Sequence, residues 1–308
     1  IRWYRLSLQE AERAVEKDRA GETARRMLAV ALQRLGTQLE YYAETLKEKG
    51  EAQATAPLYA EAEQLHRRSV EMSAALERDF PQNEIYSRFV AATSVNWGTA
   101  LARVGRGVEG VAYILRSLEA ERRMAAADPK NNEARRDIAE LWQYMAFARR
   151  AMNQKDEAMR ANQTSLAILE EITASDPSNF EFLKQTHLTY NNTGDILLEQ
   201  GRLQEALAYY QKGMAYAERM SALNNSSQIA VLRSESNRKI GEAYLAIAAR
   251  RPGADAILAA RSHLLKARDD LLALQQRGEL GRNYEHRIGL IERAIDKAAK
   301  PDAVTTGD

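Results

Sequence analysis

The chain has 308 residues, 45% apolar and 28% charged, with six prolines and no cysteine, and its 44 basic and 43 acidic side chains leave a formal net charge of +1. This excludes a disulfide scaffold, a thiolate zinc site and a cysteine nucleophile. It also argues against general disorder and against a nucleic-acid partner, which usually meets a basic excess. Few helix breakers among much Ala, Leu, Glu, Arg and Gln predict a helical protein. No run of 18 apolar residues is present to insert into a membrane, and there is no signal peptide, so a cytoplasmic location is expected. The first residue is Ile1 rather than Met, so the chain reads as a piece of a longer protein or a trimmed product.

In chain order, residues 1–20 predict a flanking helix with Trp3, Leu6 and Ala14 as its apolar contacts. If a membrane span precedes residue 1, Trp3 beside Arg2, Tyr4 and Arg5 would suit an interfacial anchor; a packed helix is the simpler reading. Five helical hairpins follow, at about 21–81, 82–130, 131–178, 179–226 and 227–281. The first is irregular and carries extra residues around 50–60. A capping helix is expected at 282–299 and a disordered polar tail at 300–308.

The hairpins rest on a repeat of about 48 residues. Pro81, Pro129 and Pro177 keep this interval, and so do Asn83, Asn131 and Asn179, with Ser227 continuing the series. Asn and Ser are good helix N-caps, because the side-chain oxygen accepts from a free amide of the first turn. Gly105, Asn153 and Gly201 recur at the same interval as turn residues, with Gly50 and Gly253 in the flanking units. Gly98, Ala146, Gly194 and Gly241 form a third series inside helices; Gly110, Ala158 and Ala206, and Ser69, Ser117, Ser165 and Gly213, form two more. A helix-interior glycine costs about 1 kcal/mol relative to alanine. Repeating that cost at one register predicts helices too close there for a large side chain.

These residues resemble a tetratricopeptide repeat (TPR) array, whose pattern places Trp, Leu-Gly and Tyr in the first helix and Ala with an aromatic in the second. Trp142, Met145, Ala146 and Ala158 fit it in the third unit. Tyr190, Thr193, Gly194, Leu197, Ala206 and Tyr210 fit it in the fourth, and Ile240, Gly241 and Tyr244 in the fifth. In the second unit Trp97 and Gly98 fit, with Gly110 where Ala is usual. The resemblance covers about 40–280, with a period longer than the family's usual one. It implies an all-α, right-handed α-solenoid of antiparallel helical hairpins with a C-terminal capping helix. The stretch beginning ADPKNNEARRDIAE is also similar to helical repeats that follow the catalytic domain of some bacterial serine/threonine protein kinases, although no kinase motif is present here.

Other motifs carry little chemistry. Gly105 to Gly110 matches G-x-G-x-x-G, but a helix rather than a strand precedes it, so the glycines read as turn and packing residues. His66, His187, His263 and His286 show no metal-ligand spacing, and His66 falls where an aromatic is preferred, so it reads as packed. Adjacent carboxylates such as Glu170 and Glu171 read as a solvated face, and the arginine pairs are interleaved with acids. Trp97 and Trp142 lie at the packing register and read as core. No catalytic residue, cofactor or metal is expected, and the region does not read as an enzyme.

What the TPR resemblance implies about function is a concave groove lined by first helices, receiving a protein or peptide partner. One-turn spacing off the packing register assigns it Val95 and Thr99 in the second unit and Gln143, Phe147 and Arg150 in the third. Asn191, Asp195 and Leu198 follow in the fourth, and Arg238, Glu242 and Leu245 in the fifth. Asn191 is expected to grip a partner backbone, and Phe147 and Leu198 to form apolar pockets. The alternative is a regulatory domain that senses a small ligand or signal peptide. Whether copies form a homo-oligomer is left open.

Overall fold

A computed structural model describes residues 1–282 and 284–299; the tail expected at 300–308 lies outside them. The elements are α1 (Arg2–Lys17), α2 (Glu22–Glu48), α3 (Ala56–Asp79), α4 (Glu84–Arg103), α5 (Gly107–Ala127), α6 (Asn132–Ala151), α7 (Lys155–Ser175), α8 (Phe180–Glu199), α9 (Leu203–Leu223), α10 (Ser227–Arg250), α11 (Ala254–Gln276) and α12 (Glu285–Ala299). A short 3-10 turn at Ala52–Ala54 fills the irregular stretch before α3, and no strand occurs among the described residues. The protein is all-α. It comprises two compact units, residues 1–158 and 159–308, with the division inside α7.

Local chemistry explains several helix boundaries. The Asn83, Asn131 and Asn179 side chains accept from the amides of Ile85, Ala134 and Glu181 at 3.2, 3.1 and 3.1 Å, starting α4, α6 and α8. Such a cap contributes about 1 kcal/mol. Asn153 has φ +59°, and Gly50, Gly105 and Gly201 also adopt the left-handed conformation that ends a helix and reverses the chain. Two expectations of the series fail. Ser226, not Ser227, is the N-cap of α10, and its side chain makes no capping bond. Gly253 is extended, with φ −163°, and caps the start of α11 instead of ending α10.

In unit 1, α2 pairs with α3 and α4 with α5, while α4 also touches α6, so first helices lie side by side. Leu32, Leu35 and Leu39 of α2 are buried, each worth about 1.5–3 kcal/mol. The small residues mark close crossings. A Cβ on Gly98 would lie 2.7 Å from the Gly110 carbonyl oxygen, and one on Gly110 would lie 2.2 Å from that of Gly98, so backbone meets backbone between α4 and α5. The serine series works by another route. The Ser69 and Ser117 hydroxyls donate to the carbonyls of Ala29 and Ala91 on the facing helices at 2.8 and 3.1 Å. A side chain that short reaches a facing backbone only where the helices nearly touch. The expected α1 contacts are corrected: Leu8 and Ala11 face the core, whereas Trp3 is 80% exposed and Leu6 is also exposed. The apolar stripe of α1 is set by its helical spacing, and Trp3 falls off it.

In unit 2, α8 pairs with α9 and α10 with α11, and α12 covers α11. A Cβ on Gly194 would lie 2.4 Å from the Tyr210 ring, so the missing side chain makes room for that aromatic. The Ser234 hydroxyl donates to the Ala267 carbonyl at 2.7 Å, as the serines of unit 1 do across their pairs.

Candidate functional site

The face of unit 1 made by α2, α4 and α6 holds a cavity of about 440 Å³, with α5 closing its floor. Gln33 of α2, Arg88, Ala91, Ala92, Val95 and Asn96 of α4, Ser117 and Glu121 of α5, and Asp137, Glu140, Leu141 and Tyr144 of α6 line it. Val95, Ala91 and Leu141 are buried and give it apolar walls, while Ala92 is exposed. Burial raises the Glu121 carboxyl above its ordinary range; the Asp137 charge adds to this and Arg88 opposes it. The Tyr144 phenol donates to Glu140 at 3.0 Å, and burial and that carboxylate push it above the usual tyrosine range.

A second cluster in the same unit joins α2, α3, α4 and α6. Arg103 lies 4.3 Å above the Phe147 ring, donates to Glu44 and has Nε 3.5 Å from Glu40 Oε1. Burial pushes Glu40 up to about 7, with Arg103 opposing and Glu44 adding. Burial and then the Arg103 charge push His66 down to about 4. His66 is packed, as expected, but neither ring nitrogen makes a hydrogen bond; Nε2 lies 3.9 Å from Glu40 Oε1, which is also without one. Gly36 leaves the space this imidazole occupies.

The first-helix residues of unit 2 have a different chemistry. Asp195 accepts from the Tyr210 hydroxyl at 2.8 Å and from Lys239 at 2.5 Å. Arg238 bonds Glu235 at 2.5 Å and Glu242 at 2.6 Å, and Arg287 of α12 reaches Glu235 at 3.3 Å. Burial works against the charged form of Glu235, but Arg238, Lys239 and Arg287 outweigh it and hold the carboxyl far below its usual range. The expected partner-facing residues Asp195, Arg238 and Glu242 thus pair with one another and with neighbours the sequence did not single out. Asn191, expected to grip a partner backbone, is also engaged within the fold. It is 3% exposed, its Nδ2 bonds Ser236 at 3.1 Å, and its Oδ1 fills the space left by Gly213. His187 donates from Nδ1 to the Gly213 carbonyl at 2.9 Å, which leaves Nε2 to accept from Asn191 at 3.3 Å.

Of the remaining expected residues, Val95 lines the cavity of unit 1 and Phe147 lies half-buried under Arg103. Thr99 is buried, with its hydroxyl on the Asn96 carbonyl at 2.8 Å. Gln143, Arg150 and Leu198 are half-buried, and Leu245 packs in the core formed with α11 and α12. Trp97 and Trp142 are half-buried rather than fully in the core; the Trp97 indole donates to Glu63 at 2.9 Å. Sequence reasoning missed Arg88, Glu121, Asp137, Glu140 and Tyr144. The signal for α6 was present: Asp137, Glu140, Leu141 and Tyr144 are spaced by 3, 4 and 7 residues, which is one helix face. Gly105 ends a hairpin turn and Gly107 and Gly110 lie in α5, so the G-x-G-x-x-G match has no strand before it.

Among the described residues, no group of three or more His, Asp or Glu side chains could hold a metal ion, and no helix is long and apolar enough to cross a membrane. No family model and no curated protein matches the chain. Among solved structures it is similar to BtubC (BKLC) from P. vanneervenii, with 15% identity over 80% of this chain and 91% of that one and a TM-score of 0.51. It also matches a Rap protein complexed with competence and sporulation factor, at 13% identity over 94% and 80% of the two chains, TM-score 0.42. The Rap conjugation gene regulator of plasmid pLS20 in complex with the Phr* peptide matches at 12% identity over 91% and 75%, TM-score 0.43. The first likeness shows the fold alone, and the other two are too low to add an argument.

Proposed function

We propose that this chain is a TPR-like interaction scaffold that binds a peptide or partner segment on the α2, α4 and α6 face of unit 1. The observation that carries the reading is the cavity of about 440 Å³, walled by Val95, Ala91 and Leu141 and edged by charged side chains of α4, α5 and α6. Packed helices hold these groups in place before a partner arrives, which lowers the ordering cost of binding. Phe147, with Gln143 and Arg150 on the same helix, extends the proposed face beyond the cavity. Such a module suits the regulatory region of a larger signalling protein, and the resemblance to kinase-associated repeats makes a bacterial serine/threonine kinase the first context to examine. A second reading, a sensor for a small molecule, is favoured by the volume, which falls within the usual range of about 300–1,000 Å³ for small-ligand pockets.

The test is to select displayed peptides on the whole chain and repeat the binding with Ala92→Trp. Ala92 is exposed and lines the cavity, so the indole plugs the site without entering the core. Loss of the selected peptides with an unchanged melting temperature supports the reading. Equal binding by the plugged variant places the partner elsewhere. A cavity that selects no peptide but takes up a small metabolite favours the sensor.

A further inference from the structure

The side chains that line the cavity carry a charge imbalance. Three carboxylates, Glu121, Asp137 and Glu140, line it against one cation, Arg88. Arg136 reaches Asp137 at 2.6 Å, and Tyr144 donates to Glu140. Glu121 has neither a hydrogen-bond nor an ion-pair partner among the described residues, and it stands half-buried beside the Asp137 charge. Like charges near one another in a partly desolvated place are unfavourable, and an opposite charge between them reverses the sign. Ala91, Ala92 and Val95 of α4 and Leu141 of α6 add an apolar part to the lining. That combination matches the anatomy of a long basic side chain, which buries a hydrocarbon stem and presents a charged head.

Resting on the partner-face reading above, we propose that the cavity is an anchor pocket for a lysine or arginine side chain of the bound peptide. The aliphatic stem lies on Val95, Ala92 and Leu141, and the cationic head sits against Glu121 with Asp137 and Glu140 beside it. An acidic or phosphorylated segment is excluded by the same carboxylates. The pocket therefore supplies specificity for a cation, and the rest of the face supplies further contact.

The experiment uses the whole chain and two probes, the capped peptide Ala-Leu-Arg-Leu-Ala and its counterpart with citrulline, an uncharged isostere, in place of arginine. Binding is followed by the amide chemical shifts of Ala92, Val95 and Leu141 and by titration calorimetry. The arginine peptide is expected to shift these signals and to bind about tenfold more tightly than the citrulline peptide, with the advantage shrinking as salt rises. In Glu121→Gln/Asp137→Asn the two peptides are expected to bind alike. Both changes keep size and shape, and a melting temperature no lower than that of the unaltered chain confirms that the variant folds. Equal binding of the two peptides at the cavity overturns the cation preference while leaving the partner face standing. An arginine advantage that survives the double variant places the cation elsewhere and also overturns the proposal. Absence of shifts at all three residues with both peptides removes the anchor pocket, and the Ala92→Trp selection then decides separately whether the face binds anything.

Discussion

The polar clusters of the two units use similar residue types to opposite ends. In unit 2, Glu235 is ringed by Arg238, Lys239 and Arg287, and Asp195 by Lys239 and the Tyr210 hydroxyl, so charge is matched within the fold. In unit 1, Glu121 has the opposing charge of Arg88 but no ion pair at contact distance, and Glu40 and His66 are buried with polar atoms that make no hydrogen bond. The two buried histidines show the same contrast. His187 is satisfied through the Gly213 carbonyl and Asn191, whereas His66 fills the space beside Gly36 with neither nitrogen bonded. Register alone therefore does not say whether a polar side chain of this fold is already paired within it.

The largest expected effect breaks the closed side of this contrast. Glu235→Ala removes the one carboxylate that three cations share and leaves Arg238 with Glu242 and Lys239 with Asp195 as their remaining partners. Breaking a buried pair costs about 3–5 kcal/mol, and the lower end applies because these side chains remain a fifth exposed. Chemical denaturation at neutral pH measures it; a loss below about 1 kcal/mol would mean that the network is solvated and contributes little.

The next effect sharpens the open side through pH. Glu40 rises from an ordinary 4.5 to about 7, so the native state holds a proton the unfolded chain has released, and its contribution falls as pH rises between those values. His66 drops from 6.5 to about 4, so the native state refuses a proton the unfolded chain takes up, and its contribution falls as pH drops below 6.5. In the unaltered chain the two slopes oppose each other across their shared window. Glu40→Gln should expose a stability that rises with pH from about 4 to 6.5, and His66→Leu one that falls from about 4.5 to 7, each by at most about 3 kcal/mol. Melting temperatures read every half pH unit decide this, and parallel profiles for the two variants would remove the account.

Gly194→Leu tests the packing of unit 2 alone. A side chain there meets the Tyr210 ring at 2.4 Å, which should cost about 1–3 kcal/mol by overpacking. Tyr210 also donates to Asp195, so the variant should disturb the charge network as well. An unchanged melting temperature would show that the ring moves aside freely.

Much of the fold could be read from residues whose effects are local. Asn83, Asn131 and Asn179 cap helices through amides two or three residues away, and Asn153 reverses the chain through its own φ. The paired series of Gly98 and Gly110 was also legible, because a repeated cost inside helices has few explanations besides close approach. The site was much less so. Lys239 meets Asp195 across 44 residues and Arg287 meets Glu235 across 52, and no spacing rule within one helix announces such a pairing. Asn191 looked like an open amide because its burial depends on an absent side chain at Gly213, one helix away. The acidic face of α6 was readable from its spacing, but its importance depends on Glu121 arriving from α5.

The smallest expected effect tests that last point without any partner. Glu121→Gln removes one of two neighbouring negative charges while keeping the shape of the side chain. Because burial and the Asp137 charge raise the Glu121 carboxyl, the native state holds its proton more tightly than the unfolded chain does, and ionisation at neutral pH works against folding. The variant should therefore be more stable than the unaltered chain at neutral pH, by a few tenths of a kcal/mol, since the group is only half-buried and salt screens it. At a pH low enough to protonate the carboxyl in both states the gain should vanish. Asp137→Asn should give less, because Arg136 already bonds that carboxylate and loses its partner in the exchange. If Glu121→Gln instead destabilises the chain at neutral pH, then Arg88 already satisfies the carboxylate, and the open face of unit 1 is as closed as its counterpart in unit 2.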